Sequence, residues 1–111
     1  MNQPDQRYEL YRGEKLLGEL SNIEEADLPW HQCDFRPTPD FEQYRVLFNK
    51  EYRLLKREGM SDSWVKAYEK IDNLLLTLTD PQLSKTTDIF VLHLLDGQRA
   101  RFKAYFETEK K

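Results

Sequence analysis

An α+β fold, in the order β-β-α-α-β-β, with an antiparallel sheet from N- and C-terminal hairpins packed on a two-helix layer, is the class this sequence predicts. Three observations carry it. Gly13-Glu14 lies between two short β-like runs near the start of the chain, Asp96-Gly97 lies between two more near its end, and the residues between repeat apolar side chains at helical spacing. Hairpins at both ends with helices between them join most simply into one sheet covered on one face by the helix pair. At 111 residues the length suits a single domain, 1–111, with residues 1–6 as a flexible polar lead.

In "RYELYRGEKLLGEL" Gly13 tolerates the positive φ required at the first central position of a type II′ turn, which pairs Tyr11 with Leu16 and Leu10 with Leu17. Residues 21–28, "SNIEEADL", are acidic and poor in β-branched side chains, and read as an irregular link. Pro29, Pro37 and Pro39 each remove a backbone donor and hold the preceding residue extended. Residues 28–38 are therefore expected to form a proline-stiffened extended arm, excluded from the middle of a sheet.

Thr38-Pro39-Asp40 offers an N-cap, a proline at the first helical position and an acid near the positive helix end. From there Phe41, Tyr44, Leu47, Phe48, Tyr52, Leu54 and Leu55 recur at spacings of three and four, which predicts a helix over 40–58 ended by Gly59. Ser61 or Ser63 caps a second helix, in which Trp64, Tyr68, Ile71, Leu75 and Leu78 continue the period until Asp80-Pro81.

The C-terminal hairpin, "DIFVLHLLDGQRARFKAYF", admits two registers. A two-residue turn at Asp96-Gly97 sets Phe90, Leu92 and Leu94 beside Arg99, Arg101 and Lys103; a three-residue loop, Leu95-Asp96-Gly97, sets them beside Ala100, Phe102 and Ala104. In both, residues 89–95 are apolar on both sides, the pattern of a central strand covered twice, by the helix pair and by the arm or another chain.

Apolar residues at 39% and charged residues at 33% describe a folded core under a charged surface, and a net charge of −3 argues against a chain-wide strategy for binding polyanions. A single cysteine cannot form an internal disulfide and suits a reducing compartment. The N-terminal residues lack the apolar run of a secretion signal, and no window approaches the roughly 18 apolar residues of a membrane span. The expectation is a cytoplasmic protein with no membrane partner.

The stretch "LPWHQCDFRPTPDFEQY" concentrates His31, Cys33 and Asp34, yet a zinc site would have to borrow His93 and has no ligand spacing to support it. A Cys33–His31 nucleophile pair fails because neighbours two apart on an extended chain stand too far apart for a direct hydrogen bond. Cys33 and Phe35 read instead as apolar plugs, with Trp30 stacked beside them. No phosphate-binding loop, dinucleotide-binding glycine pattern, G-x-S-x-G or HExxH is present, and Glu24, Glu25 and Asp27 lie in a polar link. The sequence thus predicts neither catalysis, nor a cofactor, nor a metal.

Binding is what remains. Arg99, Arg101, Lys103 and Tyr105 alternate on one face of the last strand, bordered by Trp30. The expected function is that of a small non-catalytic protein-interaction or regulatory domain, engaging a protein partner or a second copy of itself through the outer face of this hairpin. The alternative is RNA or single-stranded DNA bound along the basic strand. Lys50, Arg53, Lys56 and Arg57, interspersed with Glu51 and Glu58, read as a solvated helix face.

Overall fold

Gly13, at φ +60°, turns the chain between β1 (Tyr8–Arg12) and β2 (Lys15–Glu25) in a computed structural model that describes residues 6–27, 29–95 and 98–106. Tyr11 faces Leu16 as that turn requires, but a bulge places Leu10 opposite Gly18 instead of Leu17. The bulge lets Leu17 and Leu20 both be fully buried. Gly18 gives up its side chain to Phe35: a Cβ there would stand 2.6 Å from the ring.

The acidic segment after Ser21 is not an irregular link. β2 runs through it to Glu25, interrupted where Asn22 adopts φ 50° and the pairing shifts between Ser21 and Glu24. Ladder bonds from the next strand outweigh weak local preference here.

That next strand, β3 (His31–Pro37), corrects the expected arm. The segment is extended, but it lies inside the sheet, paired to β2 on one side and to β7 (Arg99–Ala104) on the other. The prolines permit this because Pro29 precedes the strand and Pro37 is its last residue, so no interior ladder donor is lost.

A single 3₁₀ turn, Pro39–Phe41, leads into α1 (Glu42–Glu58), which Gly59 ends at φ +69° with its N–H on the Leu55 carbonyl at 2.9 Å. Thr38 does not cap the helix through its side chain; its hydroxyl donates to the Leu16 carbonyl at 2.8 Å and ties the helix start to β2. Ser61 does cap α2 (Asp62–Asp72), accepting from the Trp64 N–H at 3.2 Å. This helix is shorter than its apolar period implied: Leu75 turns at φ 57°, and Leu76 and Leu78 belong to β4 (Leu76–Asp80). "LTLTD" alternates strictly, burying Leu76, Leu78 and Asp80, while Ile71, Leu75 and Leu78 happen to satisfy helical spacing as well. Asp80 closes the following turn by accepting from the Gln82 and Leu83 N–H groups at 3.0 and 3.3 Å.

With β5 (Lys85–Thr87) and β6 (Phe90–Leu94), the described residues form a 7-stranded antiparallel sheet in the order β5-β4-β1-β2-β3-β7-β6. The two terminal hairpins thus share one sheet, bridged by β3. The sheet curls, because Asp88 and Ile89 alone connect its two edge strands, and the Thr87 hydroxyl donates to the Tyr105 carbonyl at 2.6 Å. Register partners on the inner face, Leu10 with Leu78, Leu20 with Phe35, Cys33 with Ala100 and Leu92 with Phe102, close around Phe41, Phe48 and Ile71 from the helical layer.

In the last hairpin Leu92 faces Phe102, Leu94 faces Ala100 and His93 faces Arg101, so the inner face has the composition of the three-residue-loop register. The loop itself lies one residue later than expected, since the Leu95 N–H bonds the Arg99 carbonyl at 2.9 Å. The Asp96-Gly97 pair lies outside the described residues. β6 is an edge strand, not a central one, and α1 explains its apolar character on both sides. A helix that delivers Phe48 to the inner cluster and Glu51 to His93 straddles the free edge of β6 and covers it. No helix among the described residues is long and apolar enough to cross a membrane.

Candidate binding site

Strand alternation points His93 away from Leu92 and Leu94, onto the outer face, yet its side chain is 6% exposed. Its cover comes from three elements. Trp30, just before β3, stacks on the imidazole with ring centroids 5.4 Å apart; Tyr52 of α1 tilts against it at 5.8 Å; and Glu51, fully buried, meets Nδ1 at 2.9 Å. The second Glu51 oxygen accepts the Trp64 indole N–H at 2.6 Å, and Trp64 stacks on Tyr68. Glu51 is therefore no part of a solvated helix face: the residue that seemed to balance Arg53 and Lys56 ties α1, α2 and β6 together.

The cations predicted to form one contact surface are divided by the structure. Arg101 and Lys103 also lie over the Trp30 ring, at 5.2 and 4.9 Å from its centroid. Arg99 is tied into β2 and β3, donating to Asp34 at 3.0 Å and Glu24 at 3.2 Å. Those bonds, Glu24 foremost, raise its pKa, while Asn22 and then Arg99 hold the Asp34 carboxyl below its ordinary range. Tyr105 is 74% exposed but stands beside Thr87 and Ile89, at the other end of the hairpin from Arg99. Trp30 thus joins Arg101 and Lys103; Arg99 shares their face of β7 but is paired to Asp34 and Glu24, and Tyr105 lies at the far end of the hairpin.

Between α1 and the Arg99 end of the hairpin lies a cleft of about 640 Å³. Arg45, Asn49, Tyr52, Arg53, Lys56 and Arg57 of α1 line it from one side, and Leu94, Leu95, Gln98 and Arg99 of the hairpin with Phe35 and Pro37 of β3 from the sheet; no carboxylate lines it among the described residues. Helical spacing explains the wall, since positions 45, 49, 52, 53 and 56 fall on neighbouring ridges of one helix surface. Arg45 is held by Glu42 at 2.8 Å, and Lys56 lies over the Tyr52 ring at 5.3 Å. Arg53 makes no ion pair or side-chain hydrogen bond to a described residue, which leaves its guanidinium available. The sequence contained the signal for this cleft in "RLLKR", but gave no sign that Arg99 would face it from across the chain.

Cys33 and His31 sit on the inner side of β3, opposite Ala100 and Phe102. Burial pushes the Cys33 thiol up to about 12, outweighing the nearby Arg99 charge, so the thiolate needed for nucleophilic or metal chemistry is suppressed. His31 stacks on Phe102 at 5.6 Å. Among the described residues no group of His, Cys, Asp and Glu is arranged to hold a metal ion. No protein-family model, curated protein or solved structure matches the chain.

Proposed function

We propose that this chain is a small non-catalytic cytoplasmic binding domain that receives an acidic stretch of a protein partner in the cleft between α1 and the C-terminal hairpin. The observation that carries the reading is the lining of that cleft: cations from two elements and no described carboxylate, in a chain whose net charge is −3. Electrostatic complementarity of this kind selects anionic partners and raises their rate of encounter. Of its four arginines, Arg45, Arg57 and Arg99 already meet a carboxylate outside the cleft, and Arg53, without one among the described residues, has the planar donors for a two-point contact with a ligand carboxylate.

The originally expected contact face moves by one strand in this reading. Arg99 remains at its border, whereas Arg101 and Lys103 act by holding Trp30 over His93. The nucleic-acid alternative has less to rest on in this reading, since the Trp30 ring that would stack a base already carries the His93 imidazole and the Arg101 and Lys103 cations.

The test is fluorescence anisotropy of a labelled Glu-rich peptide against wild type and the Arg53→Glu, Lys56→Glu variant, with a labelled single-stranded oligonucleotide in parallel. Peptide binding that falls about tenfold or more in the variant and weakens with salt supports the cleft. Equal affinity for wild type and variant refutes it, and tighter oligonucleotide binding would favour the nucleic-acid reading. Light scattering over a concentration series reports whether the partner is a second copy.

A further inference from the structure

Apart from the basic cleft, with which it shares no lining residue, a second depression of about 500 Å³ lies between α2 and the start of β6. Its lining is mixed: Phe48, Ile71, Leu75, Phe90 and Leu92 contribute apolar surface, and Asp72, Thr77 and Asp88 polar surface. Leu75 is the unusual member. It is 77% exposed, and it occupies φ 57°, a backbone region that a bulky side chain enters only at a cost. Nothing in the turn from α2 to β4 uses the Leu75 side chain to offset that cost. Beyond Thr77 and Asp88 the surface continues to Ile89 and Tyr105, both strongly exposed. Leu75, Ile89 and Tyr105 thus expose large apolar side chains on either side of Thr77 and Asp88, and exposed apolar groups gathered in this way mark a contact site.

The charged residues lining the groove are Asp72 and Asp88, both exposed, and neither carboxylate makes a hydrogen bond or ion pair to a described residue. Asp72 ends α2, where a carboxylate opposes the helix dipole. We propose that this groove docks an apolar peptide segment flanked by Lys or Arg, from a protein partner, with the apolar side chains against Leu75 and Ile71 and the cations on Asp72 and Asp88. The site is separate from the basic cleft in place and opposite in charge, so one chain would present two dissimilar contacts.

The experiment uses a short fluorescein-labelled peptide of Leu and Phe with Lys at both ends, and the same peptide with Glu at both ends, read by anisotropy against the full chain. The Lys-ended peptide is expected to bind saturably and the Glu-ended one about tenfold or more weakly. Asp72→Asn with Asp88→Asn should remove that preference, and Leu75→Gly, which suits the positive φ and should fold, should weaken binding of both peptides. A control that removes two exposed acids elsewhere, Glu25→Gln with Asp27→Asn, should leave binding unchanged. Equal binding of the two peptides by a chain whose basic cleft is disabled by Arg53→Ala with Lys56→Ala, or equal losses in control and groove variants, would overturn the proposal. So would a wild-type dimer that Leu75→Gly dissociates, since a second copy would then be the occupant. The Arg53→Glu, Lys56→Glu variant should bind the Lys-ended peptide as wild type does, which keeps this result distinct from the fate of the basic cleft.

Discussion

The cations of β7 and those of α1 look alike in sequence and differ in what surrounds them. Arg99, Arg101 and Lys103 are committed internally, to Asp34 and Glu24 in the first case and to the Trp30 ring in the others. Arg53 lines a cleft without an ion pair or hydrogen bond to a described residue, and the glutamate nearest it in sequence, Glu51, has turned inward to His93 and Trp64; Lys56, in the same cleft, rests on the Tyr52 ring. A basic residue already holding a strand or an indole in place adds to the fold; one with its charge still unmatched can recruit a ligand. The comparison also explains why the helix carries an excess of positive charge on its cleft side. Burying one acid for structure leaves its basic neighbours without a counter-charge.

The largest test of this division is Glu51→Ala against Arg53→Ala. Removing one member of a buried, hydrogen-bonded pair strands the other, so the first substitution should lower stability by about 3 kcal/mol or more, while the second should stay within about 0.5 kcal/mol. Urea midpoints measure both, and equal effects would erase the distinction. Next in size, Trp30→Ala takes away the surface on which Arg101, Lys103 and His93 rest; a loss of about 2 kcal/mol is expected, together with exposure of His93 that can be followed by the chemical shift of its imidazole. If Trp30→Ala left stability untouched, Arg101 and Lys103 would have to be counted among the available cations after all.

A smaller effect concerns alkaline pH. The Cys33 thiol is raised by burial, from an ordinary value near 9 to about 12, so the folded state holds its proton more tightly than the unfolded state does. The stability this contributes is complete below about pH 9 and is lost as pH rises toward 12. Tyr68, also raised to about 12, first by burial and then by Asp72 and Glu51, adds to the loss above about pH 10. Melting temperature should therefore fall by a few degrees, roughly, between pH 8 and pH 10.5, and Cys33→Ala should flatten that fall even while lowering the curve as a whole. An unaltered slope would mean that Cys33 is not held away from water in the folded core. Smallest is Leu75→Gly, which removes an exposed side chain from a left-handed backbone position and should raise stability by about 0.5 kcal/mol, measured by the same urea titration. A clear loss would show that the Leu75 side chain supports the fold and is not held out for contact.

Much of the fold was legible locally. The Gly13 turn, the proline at the start of the first helix, the Gly59 stop and the Ser61 cap each act within a few residues, and each appears where the sequence indicates. The period of three and four along α1 identifies Phe41, Tyr44 and Phe48 as core, because a helix exposes its pattern to its own near neighbours. The errors fall where two patterns coincide or where pairing is remote. Ile71, Leu75 and Leu78 satisfy helical spacing, while Leu76, Leu78 and Asp80 satisfy strand alternation, and only pairing to β1 and β5 chooses the second beyond Leu75. Residues 28–38 carry the prolines of an arm, but their placement at the strand's limits leaves an interior that β2 and β7 both accept.

The candidate site shows the same boundary more sharply. Residue types and spacing alone determined that His93 lies on the face opposite Leu92 and Leu94, that Cys33 has no second cysteine to join, and that Arg53, Lys56 and Arg57 share one helical surface. Only the tertiary structure decided that Glu51 is buried while its basic neighbours are not, that Arg99 answers to Asp34 and Glu24, and that β6 is an edge closed by a helix. The reason is the range of the forces involved. Capping, turn geometry and helical periodicity are set by neighbours along the chain, whereas the partner of a charge is set by which residue the folded sheet brings within about 3 Å of it.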